Sequence, residues 1–100
     1  MIIKESEIFT KWFEKLKDRV LARVIYRYIQ RLMLTNFSNV KSVGDGVHEI
    51  KIDYQKGYRV YFTNINRQII LLLCGGDKSS QKKDVEKAKQ IKKLYEYRGR

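Results

Sequence analysis

The chain of 100 residues holds no proline, one cysteine, one histidine and half as many acidic as basic side chains. A single cysteine, Cys74, allows no intramolecular disulfide, which fits a reducing, cytoplasmic setting. It closes an aliphatic run and reads as a small buried hydrophobe rather than a nucleophile. A single histidine, His48, builds no metal site without several carboxylates, and no Cys/His spacing suggests zinc; no metal or cofactor is expected. The start, Met1-Ile2-Ile3-Lys4-Glu5, lacks the apolar stretch of a signal peptide. No segment approaches the roughly 18 apolar residues of a membrane span, so no membrane contact is expected. Repeats and low-complexity tracts are also absent.

What the chain does have is positive charge. Twenty-two Lys and Arg face eleven Asp and Glu, a formal net charge of +11. A field of that size on so small a chain favours polyanionic partners such as RNA, DNA or an acidic protein, without choosing among them. The 43% hydrophobic share, with twelve aromatics, suffices for one core, so residues 1–100 are expected to form a single domain.

Ile8, Phe9, Trp12, Phe13 and Leu16 lie on one face of a helix, which Ser6 or Thr10 would start. Asp18 offers the N-cap of a second helix to about Leu34, with Leu21, Val24, Ile25, Tyr28, Ile29 and Leu32 on its apolar side. The two form a helical hairpin. Arg19, Arg23, Arg27 and Arg31 recur every four residues along the second helix. Such a stripe is either a solvated face or, since like charges repel, a seat for an anionic partner; both readings stand.

From Thr35 to Gly46 the chain is polar and reads as a loop. Period-two alternation follows over Val47–Tyr54 and Tyr58–Thr63, joined by a hairpin connection at Gln55-Lys56-Gly57. Ile69–Cys74 is apolar on both faces and belongs mid-sheet, ended by Gly75-Gly76. A third helix from about Ser80 packs through Val85, Ala88, Ile91, Leu94 and Tyr95, and residues 1–4 can add a strand. The expected fold is α+β. An N-terminal helical hairpin packs on a small, mainly antiparallel four-stranded sheet, followed by a C-terminal helix, with all helices on one face.

The opposite face would then stand open, carrying Glu49, Lys51, Arg59 and Tyr61. Lys78 follows the central strand at a helix start. Lys51, Arg59 and Lys78 could surround one phosphate, with Tyr61 stacking on a base. Such a site suits metal-free RNA cleavage, in which a ribose 2′-OH attacks the adjacent phosphorus and cations stabilise the charge that gathers there. A crowded lysine, Lys51 or Lys78, is a usable base; Glu49 and His48 are further proton-transfer candidates. Against this, cations on an open sheet face are mostly solubilising. His48 alternates inward with Ile50 and reads as a half-buried core histidine, and Asp77 as a helix cap or a functional acid.

Gly57-Tyr58-Arg59-Val60-Tyr61-Phe62, followed by Leu71-Leu72-Leu73-Cys74-Gly75-Gly76-Asp77-Lys78-Ser79-Ser80-Gln81, closely resembles the RelE/ParE toxin superfamily, nearest its HigB-like, phage Gp49-like branch. Phe13, Asn36-Phe37 and the strand Gly46–Lys51 share in the likeness. The resemblance implies a RelE-like fold and a type II toxin that cuts mRNA on the ribosome without metal. It also implies neutralisation by a cognate antitoxin, usually of helix-turn-helix type, through which operator DNA is bound. It gives Arg59 and Lys78 phosphate-binding roles and matches Lys51 to a strand lysine. Where RelE-like proteins have a second such lysine this chain has Glu49. Where they have a C-terminal tyrosine the register gives Lys83, Asp84 or Val85, with Tyr95 and Tyr97 farther along. Two other readings stay open: a ParE-like gyrase inhibitor, and a nucleic-acid-binding module without catalysis.

Overall fold

The aliphatic run near residue 70 becomes the strand on which the rest of the chain is hung. The structure, a computed structural model, describes residues 2–98; Met1 and the side chain of Tyr97 lie outside the described residues. In chain order the elements are β1 (Ile2–Glu5), α1 (Glu7–Glu14), α2 (Arg19–Met33), β2 (Val40–Gly44), β3 (Val47–Ile52), β4 (Tyr58–Ile65) and β5 (Ile69–Asp77). A 3-10 turn (Lys78–Ser80) and α3 (Gln81–Arg98) complete the chain. The α+β class, the helical hairpin and the C-terminal helix are as the sequence implied.

The sheet has five strands rather than four, in the order β1-β5-β4-β3-β2, and is mixed because β1 runs parallel to β5. The segment expected to be a loop contains β2. Val40 opposes Ile50 and Ser42 opposes His48, before a turn with Gly44, Asp45 and Gly46 all at positive φ. β5 also continues through Gly75-Gly76 to Asp77 instead of stopping at Cys74.

The helices cover both faces. On one side Phe9, Leu21, Ile25, Ile29 and Leu32 pack on Ile50, Ile52, Val60, Phe62, Ile70 and Leu72. On the other, α3 sets Ala88 and Ile91 against Val47, Tyr61, Leu71, Leu73 and Cys74. The expectation of helices on one face and an open sheet beyond is therefore corrected. Leu73 bulges out of the β4–β5 register, since Tyr61 opposes Cys74 and Phe62 opposes Leu72. The bulge puts Leu73 and Cys74 on the α3 side together, making that face apolar enough to need a cover. Leu94, expected in the packing face, is exposed.

Local chemistry fixes the ends. Ser6 is fully buried as the cap of α1: its Oγ accepts from the Phe9 N–H at 3.0 Å and donates to the Leu73 carbonyl at 2.6 Å. Asp18 caps α2 by accepting from the N–H groups of Val20 and Leu21. Among its described side chains α3 fully buries only Ala88 and Ile91, worth on the order of 2–4 kcal/mol. Side-chain ties at each end therefore matter to its position. The Glu7 N–H donates to the Tyr95 hydroxyl at 3.1 Å, and Gln81 reaches Glu49.

The Gly75-Gly76 pair lets helices approach from both sides. A Cβ at Gly75 would collide with the Trp12 ring of α1, and one at Gly76 with Asp84 of α3. Gly75→Ala is expected to lower stability by about 1–3 kcal/mol through overpacking against the bulky indole, read from the urea midpoint.

Candidate functional site

Antiparallel pairing places Lys51 opposite Arg59, and Arg59 opposite Gly76. The three positions form a row at the end of the sheet, where the first turn of α3 reaches Gly76 and Lys51 is left exposed. The turn Asp53–Gly57 forms one wall beyond this row. There Tyr54 accepts from the Gly57 N–H at 2.9 Å, and Gln55 and Gly57 sit at φ +50° and +89°. The 3-10 turn forms the other wall, tied across by the Lys78 N–H donating to the Gly57 carbonyl at 3.2 Å. Between them lies a hollow of about 440 Å³, whose lining includes Lys51, Tyr54, Lys56, Arg59 and Lys78. Gly57 is needed here: its φ is costly for other residues, and its backbone lies beside the Arg59 guanidinium and the Lys78 stem.

Lys51, Arg59 and Lys78, the predicted phosphate-binding set, thus meet in one place. Arg59 is the anchored member, only 8% exposed, while Lys51 and Lys78 stand in solvent. Behind Arg59 sits Glu49, 1% exposed rather than on an open face. Its Oε1 is 3.8 Å from Arg59 Nε and 3.7 Å from Lys41 Nζ, and its Oε2 accepts from Gln81 Nε2 at 3.0 Å. At 3.8 Å the Arg59 contact is electrostatic, and Nε has no hydrogen-bond partner among the described residues. Glu49 is therefore sealed from the hollow by the arginine it faces.

Tyr61, expected to stack on a base, is fully buried beneath α3. Burial, and then the adjacent Glu49 carboxylate, hold its phenol well above the ordinary tyrosine range, so it stays protonated. Its hydroxyl has no hydrogen-bond partner among the described residues. His48 is half-buried on the opposite face and stacks on Phe62 at 5.3 Å, as alternation implied, and is remote from this chemistry. Lys51 Nζ lies 3.9 Å from Asp53 Oδ1, so a carboxylate as well as the neighbouring cations stands beside it.

Asp77 is a cap. It accepts from the Ser79 N–H and hydroxyl and meets Lys56 Nζ at 3.2 Å. Those Ser79 bonds, and then Lys56, hold its carboxyl below the usual aspartate range. Being depressed, it stabilises the fold above the ordinary aspartate midpoint, and that contribution is lost as pH falls through its own. Lys56 and Tyr54 were missed from sequence. Alternation runs the strand to Tyr54 and sets it inward with Ile50 and Ile52, whereas β3 ends at Ile52 and Tyr54 lies in the turn, still packed on that core. Lys56 sits on the hairpin connection, which strand alternation does not aim.

Arg19, Arg23, Arg27 and Arg31 are all exposed, on the outside of α2. Because α2 packs on the other sheet face, the stripe and the hollow lie on opposite sides of the sheet. None of the four is paired with a carboxylate among the described residues. Arg31 lies over the Tyr28 ring at 4.3 Å, and Arg23 and Arg27 border a shallow hollow with exposed Tyr26. Among the described residues there is no group of three or more His, Cys, Asp or Glu placed to hold a metal, and no helix long and apolar enough to cross a membrane.

Residues 11–96 match the family described as phage-derived protein Gp49-like. An uncharacterized protein of Haemophilus influenzae is 47% identical over 89 residues, covering 89% of this chain and 90% of that one. The fold is similar to that of the E. coli toxin RelE, seen free as an arginine-to-alanine double variant, with a TM-score of 0.70 at 16% identity over 90% of this chain and 96% of that one. It is also similar to a chain of the intact E. coli RelBE toxin-antitoxin complex, with a TM-score of 0.59 at 18% identity over 76% and 94%. The likeness is one of fold, and the fold is RelE-like.

Two outcomes follow from the buried groups. Glu49→Ala should cost about 3–5 kcal/mol in urea unfolding, because Arg59 is left buried without its counter-charge. Burial, with Asp84 nearby, pushes the Cys74 thiol up to about 12. At pH 8 it should react with a thiol reagent at least about a hundredfold more slowly in the native state than in urea.

Proposed function

The chain belongs to the phage-derived Gp49-like family, and on that premise we propose that it is the toxin of a type II toxin–antitoxin pair, a metal-independent endoribonuclease that cuts mRNA on the ribosome. The observation that carries this reading is the meeting of Lys51, Lys56, Arg59 and Lys78 around one hollow, with the counter-charge of Glu49 kept behind it. The similarity in fold to the E. coli toxin RelE, and to a chain of a complex with its antitoxin, supports it.

In this proposal the scissile phosphate enters the hollow. Arg59 and Lys78 hold its non-bridging oxygens, where negative charge grows as the 2′-oxygen bonds to phosphorus and the 5′-oxygen leaves. Fixed cations stabilise that state more than the ground state. Arg59 suits the task because Glu49 and the sheet hold its guanidinium in place, so little rotamer freedom is lost on binding. For proton transfer Lys51 is the candidate left at the mouth, since Glu49 is sealed away and His48 faces the other side.

The stripe Arg19–Arg31 serves a separate step, docking on ribosomal RNA. Exposed arginines with no carboxylate partner among the described residues, two of them beside Tyr26, suit phosphates and unstacked bases. Docking through four arginines should weaken steeply with salt. The partner in the cell is a cognate antitoxin, of helix-turn-helix type as in HigB-like pairs, through which the pair meets operator DNA in the cytoplasm.

The test is a coupled translation extract with mRNA 5′ ends mapped by primer extension. Codon-phased cuts are expected, reduced about 10²-fold or more by Arg59→Ala and strongly by Lys78→Ala. Intact mRNA, or gyrase-dependent DNA breaks in its place, would overturn the reading. Full cleavage by both variants would overturn the site.

A further inference from the structure

A phosphate site alone does not hold a nucleotide in one orientation; something must hold its base. The hollow has one aromatic residue in its lining among those described, Tyr54. It is half-buried, packed at the rim of the helical-hairpin core on one side and bordering the hollow on the other. Its backbone is held by the tight turn, with its carbonyl bonded to the Gly57 N–H and its own N–H to the Ile52 carbonyl at 3.1 Å. The turn is clamped to the far wall by Lys56 and Asp77, 3.2 Å apart. Tyr61 is sealed under α3, and Tyr58 packs in the core under the Lys56 ammonium.

We infer that Tyr54 is a base-stacking wall, and that the hollow takes a single-stranded RNA nucleotide with its phosphate on Arg59 and Lys78 and its base against the Tyr54 ring. The inference rests on reading the hollow as an RNA site and adds to it the residue that orients the base. A ring fixed by core packing loses little freedom when a base stacks on it. Any base offers a π-face, so the contact gives affinity and orientation without strict sequence choice. Because the ring does not touch the reacting phosphate, Tyr54 is a positioning residue.

The test uses the whole protein and an RNA trinucleotide carrying 2-aminopurine, whose fluorescence is quenched by stacking, at low salt. Wild type should bind it and quench it. Tyr54→Phe should stay within about twofold, and Tyr54→Leu should lose the quenching and bind roughly 5- to 140-fold more weakly. An analogue abasic at that position should bind wild type and Tyr54→Leu alike. Urea midpoints of the variants separate lost stacking from lost fold, with Tyr54→Phe as the fold-preserving control. In the translation extract Tyr54→Leu should raise KM more than it lowers kcat.

No binding of the trinucleotide by wild type, or equal binding and quenching by wild type and Tyr54→Leu at matched stability, would overturn the inference. The two claims fail separately. Tyr54-dependent quenching with no mRNA cleavage sinks the enzyme and leaves the stacking wall, whereas Arg59-dependent cleavage indifferent to Tyr54→Leu sinks the wall alone.

Discussion

Everything at the candidate site depends on one buried electrostatic contact, that of Glu49 with Arg59. A guanidinium at 8% exposure needs a counter-charge, and Glu49 supplies it from the adjacent strand. The geometry then has a direction. With the carboxylate behind it and α3 closing the face beyond, the arginine can present its remaining donors only towards the hollow. Gln81 completes the arrangement by bonding the carboxylate from the first turn of α3. The sheet, the third helix and the anion site are thus one mechanical unit.

The same contact explains how the two sheet faces divide their work. The helical hairpin side is a conventional apolar core. The α3 side is mixed: Val47 and Leu71 lie towards one end, Glu49, Tyr61 and Cys74 share a middle row, and Lys51, Arg59 and Gly76 lie towards the other. α3 covers the apolar rows and its first turn reaches Glu49 and Gly76, so the exposed Lys51, with Arg59 at the border of the hollow, is what the face leaves for an anion. Coverage by a helix that buries few side chains is sufficient because its ends are tied by Gln81 and Tyr95.

Much of this was legible from the residues. Spacing placed the helical faces of Phe9 and of Leu21, Ile25, Ile29 and Leu32, and alternation placed His48 with Ile50 and aligned Lys51 with Arg59. Other features follow from information that local pattern does not carry. β2 was hidden because an edge strand with a single buried partner needs only two half-buried valines, Val40 and Val43, among polar neighbours. An apolar stripe such as Val85-Ala88-Ile91 says that α3 packs, but not on which face of a sheet. Tyr61 has an amphipathic side chain that suits a wet surface as well as a core, and the β5 bulge, invisible in the sequence, decided between them. Lys56 and Tyr54 lie on a turn whose direction depends on positive φ at Gln55 and Gly57.

One further consequence concerns time. β1 is synthesised well before β5, with which it pairs, and the Ser6 hydroxyl bonds the Leu73 carbonyl 67 residues later. During translation, at about 5–20 residues per second, the N-terminal strand leaves the ribosome seconds before its neighbour exists. The helical hairpin and the Ser6 cap can form early from local contacts, but the Ser6–Leu73 bond and the β1–β5 edge must wait for a long-range closure with a large entropic cost. Lys78 and Gln81 come later still. The hollow is therefore assembled last, so a nascent chain carries its cations well before it has the geometry that would make them act together.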